Sequence, residues 1–155
     1  MEELKFVSQC VPGRIWPACF PSPGLDYSLW VDTWVTGWGR TEATAIGSIS
    51  TVLQDAQVAP VSWQGCRLVM GETRVTEGMI CAGAEGKDTC NGDSGGPMVT
   101  RHESTGGYSV IGITSWGDVP CAKPQSFGVY ANVAHYLDWI AEQVGYSGIG
   151  PVSLP

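Results

Sequence analysis

Helical periodicity is confined to one stretch of this chain, and that restricts its fold more than any other feature. Over residues 133–144, Val133, Leu137, Ile140, Ala141 and Val144 fall on one face of a helix. Asn132 is placed to cap its start and Gly145 its end. Elsewhere the apolar residues come in short runs divided by turn formers. "WVTGWGR" (34–40), "TVLQDAQVAPV" (51–61), "YSVIGITSW" (108–116) and "FGVYANV" (127–133) each read as a strand. Residues 11–28 read as an extended surface segment, 41–50 as an exposed loop, and 66–97 as a stretch broken up by cysteines and glycines. With 21 glycines, 10 prolines and seven tryptophans, the composition suits short strands and turns. The expectation is an all-β fold with one C-terminal α-helix over residues 1–145, followed by a flexible tail at 146–155.

A length of 155 residues fits one domain with a core of its own. Eight basic against fifteen acidic residues give a net charge of −7, which argues against a nucleic-acid or anionic-membrane partner. No apolar run approaches the ~18 residues of a membrane span, and the start, "MEELKFVSQC", lacks the apolar core of a signal peptide. The six cysteines show no C-x-x-C or Cys/His spacing, so no metal site is expected and they read as disulfide partners. The composition reads as that of a secreted domain, with the export signal expected to lie outside this chain.

The chemistry-bearing stretch is "KDTCNGDSGGPMV" (87–99), which sets Ser94 among glycines on what reads as a tight turn. Gly92-Asp93-Ser94-Gly95-Gly96 formally matches G-x-S-x-G, the nucleophile elbow of α/β-hydrolases, and Ser94, Asp118 and His135 even follow in the right order. An elbow needs a strand before the serine and a helix after it. Here Pro97 and "MVT" follow, and strands do not alternate with helices.

The longer string "GKDTCNGDSGGP", with "VTGWGRT" (35–41), "MICAG" (79–83), "ITSWG" (113–117) and "GVYANV" (128–133), resembles the trypsin-like (chymotrypsin-fold) serine endopeptidases. The motifs keep the family's order over about residues 4–144 and match its second half, a six-stranded antiparallel Greek-key barrel with a C-terminal helix. The resemblance places the first barrel before residue 1. It implies that Ser94 is the nucleophile, that the N–H groups of Gly92 and Ser94 form an oxyanion hole, and that Asp88 is the floor of a pocket for Arg or Lys. Gly117 and Gly128 would be the pocket's walls, Thr89 its lining and Asn91 its rim, while Ser115, Trp116 and Gly117 would pair with the substrate backbone. Asp93 matches the position that pairs with a new N-terminal ammonium on zymogen activation. The disulfides implied are Cys66–Cys81 and Cys90–Cys121. A further family bridge falls on Thr33 and Thr100, so both its partners are replaced together. Cys19 resembles the tether to a propeptide, and a Cys10–Cys19 bridge stays an open alternative.

A serine hydroxyl needs a base within hydrogen-bond reach, and the family's His and Asp come from the first barrel. His102 lies in "TRHESTGG", which reads as a hairpin leading away, and His135 lies in the first turn of the helix. Neither reads as a base for Ser94, and Asp93 has no evident ammonium partner. The implied parent protein is a secreted endopeptidase cutting after Arg or Lys through an acyl-enzyme, without a cofactor. Its partners would be peptide or protein substrates, protease inhibitors and the missing N-terminal barrel. This chain alone is expected to be inactive. A non-catalytic module that binds basic side chains and an unstable truncated fragment are the alternatives.

Overall fold

A computed structural model describes residues 18–23, 32–41, 49–101 and 106–145. In chain order its elements are β1 (Thr33–Gly37), β2 (Gln54–Gln57), β3 (Ala59–Val61), α1 (Trp63–Met70), β4 (Met79–Gly83), β5 (Pro97–Arg101), β6 (Tyr108–Gly117) and β7 (Gly128–Asn132). A single 3-10 turn (Val133–Tyr136) then leads into α2 (Leu137–Val144). The described strands form one antiparallel sheet in the order β2-β1-β5-β6-β7-β4-β3.

The two outermost strands, β2 and β3, are consecutive in the chain, with only Val58 between them. One extended segment therefore pairs with β1 at Gln54–Gln57 and with β4 at Ala59–Val61, and the sheet curls into a nearly closed barrel. The sequence reads this segment as a single strand over 51–61, and the family resemblance implies six strands; the described residues form seven. The bend at Val58 makes the difference: its N–H donates to Thr33 O at 2.9 Å, and its side chain is 1% exposed. Alternation of side chains along the strands then fills the interior with Val35, Val58, Ala82, Met98, Ile111 and Tyr130. A second cluster, of Cys66, Met70, Val75, Cys81 and Val129, lies where α1 packs on the barrel.

Helix α1 departs from the sequence reading, which finds helical periodicity only at 133–144. Ser62 caps it, its hydroxyl accepting from Gly65 N–H at 3.2 Å, and the Cys66–Cys81 disulfide ties it to β4. The C-terminal helix forms, but its first turn, Val133–Tyr136, is 3-10, the α-helix runs only over Leu137–Val144, and Val144 at the end of the expected apolar face is exposed. The Asn132 side chain accepts from His135 N–H, Val133 and Leu137 are buried, and Gly145 ends the helix in the left-handed conformation. Cys19 also departs from the expectation of a surface segment. Its N–H donates to Tyr108 O and its C=O accepts from Val110 N–H, which fixes residues 18–23 against β6. Cys19 is disulfide-bonded. Cys10, His102 and the expected tail at 146–155 lie outside the described residues.

Candidate active site

Ser94 sits on a loop built from two successive turns. Asp93 N–H donates to Cys90 O at 2.9 Å and Gly96 N–H to Asp93 O at 2.8 Å. The loop is pinned to β6 by Gly95 N–H to Thr114 O and Thr114 N–H to Gly96 O, both 2.9 Å, and to the end of β1 by Arg40 N–H to Asn91 O at 3.0 Å. Gly92 takes φ = +106°, a conformation that L side chains rarely adopt, and an added Cβ would lie 3.0 Å from Gly39 Cα. Ser94 and Gly92 are both exposed. Among the described residues, neither of their N–H groups has a protein acceptor.

Asp93 points the opposite way, toward β1. Its carboxylate accepts from Gly39 N–H at 2.7 Å and Cys90 N–H at 2.9 Å, so backbone amides fix the side chain that precedes the serine. Among the described residues no cation pairs with it. A cavity of about 370 Å³ opens beside it, lined among others by Gly37, Gly39, Arg40, Asp88, Asp93 and Ala122 but not by Ser94.

Asp88 begins the same loop and is held by two amides, Thr89 N–H at 2.8 Å and Ala122 N–H at 3.2 Å. Burial raises its carboxyl above the usual range, since desolvation disfavours the charge; the Ala122 and Thr89 amides offset part of this, and the charge of Asp93 adds to it. Gly128 faces Asp88 directly: a Cβ there would collide with Asp88 Oδ1 and would lie 2.9 Å from the Tyr130 hydroxyl. Gly117 pairs with Gly128 across β6 and β7. Asp88 and the serine loop thus touch the same ladder at Gly128–Gly117 and at Thr114, about 10 Å apart along the strand. The Cys90–Cys121 disulfide joins the serine loop to the segment that supplies the Ala122 amide.

The remaining expected site residues lie on this framework. Thr89 Oγ1 is 3.3 Å from the hydroxyl of Tyr130, whose own ionisation burial pushes far upward. Asn91 is exposed next to Gly92. Ser115 is an exposed bulge residue, because Thr114 faces Tyr130 and Trp116 faces Val129. Sequence reasoning missed Tyr130 and Ala122, which reach Asp88 and Thr89 only through tertiary packing. It also missed Arg74, whose guanidinium lies over the Trp116 ring.

The structure does not bring Ser94, Asp118 and His135 together. Asp118 binds Arg74, Lys123 and the Ser126 hydroxyl. His135 packs edge-on against Tyr136 and lines a separate concavity with Trp63 and Arg67. A strand, Pro97–Arg101, follows the serine where an elbow needs a helix. Among the described residues no histidine is hydrogen-bonded to Ser94.

An antiparallel barrel carrying such a serine loop beside a half-buried acid defines a class, and similarity to known proteins names it. The family model "Trypsin" matches residues 9–140, so the chain belongs to the trypsin family of serine proteases. Among its relatives, coagulation factor XI of Bos taurus is 41% identical over 130 residues, which cover 83% of this chain and 20% of that protein. Trypsin eta of Drosophila melanogaster is 43% identical over 115 residues, covering 73% of this chain and 40% of that protein. The chain therefore spans less than half the length of either relative. No helix among the described residues is long and apolar enough to cross a membrane.

Proposed function

We propose that residues 1–145 are the C-terminal barrel and helix of a serine endopeptidase that cleaves after Arg or Lys. The observation that carries this reading is an exposed Ser94 next to two amides without acceptors among the described residues, about 10 Å along one ladder from a half-buried Asp88 that faces Gly128. A substrate carbonyl at Ser94 would be attacked by Oγ. The Gly92 and Ser94 amides would take the developing negative charge, and their geometry is fixed before substrate arrives. The serine proton would pass to a histidine outside these residues and from there to the leaving amine, and water would then release the acyl group. Asp88 would receive the guanidinium or ammonium of the residue before the cleaved bond, with Thr89 and Asn91 at the lining and rim. The carboxylate of Asp93, beside the 370 Å³ cavity, is the place for the ammonium of an activated N-terminus.

For the 155 residues taken alone, the same geometry supports binding of basic side chains without cleavage, because no described base reaches Ser94. The protein or peptide substrates, protease inhibitors and the first barrel are the partners this reading implies, and an extracellular location goes with the disulfides. The test is labelling with a fluorophosphonate. The natural protein that carries these residues together with a first barrel is expected to be labelled and to hydrolyse Arg and Lys peptides, with Ser94→Ala removing both properties. The isolated chain is expected to stay unlabelled. Stoichiometric labelling of the isolated chain would reveal a base within it, and activity surviving Ser94→Ala would overturn the assignment of the nucleophile.

A further inference from the structure

Among the described residues, strand β6 leaves an edge beside the serine loop with no strand paired to it. Its pairing with β5 ends at Pro97–Ile113, and the loop engages only Thr114 beyond that point. Residues 115–117 run along β7 on their other side, and Ser115 and Gly117 are exposed. An extended peptide added antiparallel to this edge would carry its C-terminal end toward Thr114 and Ser94 and its N-terminal end toward Asp118. If the residue that enters the Asp88 pocket lies opposite Ser115, the residue two positions upstream lies opposite Gly117. The next one upstream lies opposite Asp118.

At that upstream end is a charge cluster that the catalytic reading does not use. Arg74 rises from the turn after α1 and lays its guanidinium over the Trp116 ring, 4.5 Å from the centroid. It lies 3.8 Å from Asp118, which Lys123 shares at 3.8 Å and which also accepts the Ser126 hydroxyl at 3.1 Å. One carboxylate between two cations leaves one positive charge uncompensated, on a chain whose net charge is −7. The indole under the guanidinium and Asp118 beside it hold the group at this end of the edge, where its exposed side can meet an incoming carboxylate. The Arg74 side chain is 56% exposed, so a peptide on the edge can reach it.

Building on the protease reading above, we propose that Arg74, seconded by Lys123, selects substrates with an acidic side chain two or three residues upstream of the basic residue held by Asp88. The net charge of the chain works against an acidic peptide, so a preference for one has to arise locally at this cluster.

The test is fluorescence anisotropy with the 155-residue chain and dye-labelled peptides Glu-Glu-Ala-Arg-amide and Gln-Gln-Ala-Arg-amide. The Glu peptide is expected to bind about one-and-a-half- to fivefold more tightly, the range of an exposed ion pair. Arg74→Gln is expected to remove the difference, Arg74→Glu to reverse it, and Lys123→Gln to reduce it. Asp88→Ser is expected to weaken both peptides together. Equal affinities for the two peptides that still depend on Asp88 would overturn the role of Arg74 and leave the basic pocket standing. Affinities indifferent to Asp88→Ser would overturn the pocket itself, and absence of binding by either peptide would overturn both.

Discussion

Burial pushes the Asp88 carboxyl upward and the Ala122 and Thr89 amides offset only part of that, so folding favours the protonated acid. The linked effect on stability has a definite sign. An acid whose pKa is raised on folding contributes stability that is fully present below its unfolded value of about 3.9 and is lost as pH rises through the folded value. Wild-type chain should therefore lose stability relative to Asp88→Asn as pH is raised from below 4, and urea melts of both proteins across pH 3–7 would measure this. A constant difference at every pH would show that Asp88 is not held in a desolvated site. Binding of basic peptides should follow the opposite course, weakening as acid protonates the carboxylate. Gly92 carries a second prediction. At φ = +106°, with Gly39 Cα close to its missing side chain, Gly92→Ala should destabilise the chain by about 1–3 kcal/mol, read as a lower urea midpoint. Asp88 and Gly92 stand out in the sequence only through the resemblance of the contiguous string "GKDTCNGDSGGP" to the trypsin-like family; the structure adds where they sit on one loop. Tyr130 and Arg74 are not legible, since each meets the site from a distant element and no local pattern marks the contact.

Among the elements, those with a clear period in the sequence fold as they read, and those held by other forces do not. The C-terminal helix forms with Val133 and Leu137 buried, Asn132 capping its 3-10 first turn and Gly145 ending it, while Val144 at the end of the stripe is exposed. Strands β1, β6 and β7 coincide with their apolar runs to within a few residues. Helix α1 escapes because its eight residues include Gly65 and expose Leu68 at 77% and Val69 at 46%, so no clean apolar face appears. What holds it is the disulfide at Cys66, burial of Met70 and the cap at Ser62. Ser62 before the helix and Gly71 after it were the available signals. If the cap matters, Ser62→Ala should cost about 0.5–1 kcal/mol in urea unfolding, with the barrel unchanged by circular dichroism. The β2–β3 bend is similarly silent, since the single residue Val58 turns an otherwise continuous strand from one edge of the sheet to the other.

At the scale of the whole barrel, closure depends on how β1 is held between its neighbours, and the pair Thr33–Thr100 lies at its junction with β5. Both residues are buried, and the Thr33 hydroxyl has no hydrogen-bond partner, a cost of about 1–3 kcal/mol for such a group. Thr33 C=O accepts from Val58 on the far side of β1, so Thr33 and Thr100 face each other as a non-hydrogen-bonded pair. Such pairs place their Cα atoms about 4.5 Å apart, within the roughly 4.4–6.8 Å that a disulfide spans. Joining them would tie β1 to β5 and remove the orphaned hydroxyl in one change. The double variant Thr33→Cys/Thr100→Cys should therefore oxidise spontaneously and gain about 2–4 kcal/mol over its reduced form. Urea melts with and without reductant measure the gain. The single variant Thr33→Val should recover part of it by removing the hydroxyl alone. A double variant that oxidises yet melts with its reduced form would mean that separation of β1 from β5 does not limit the stability of the barrel.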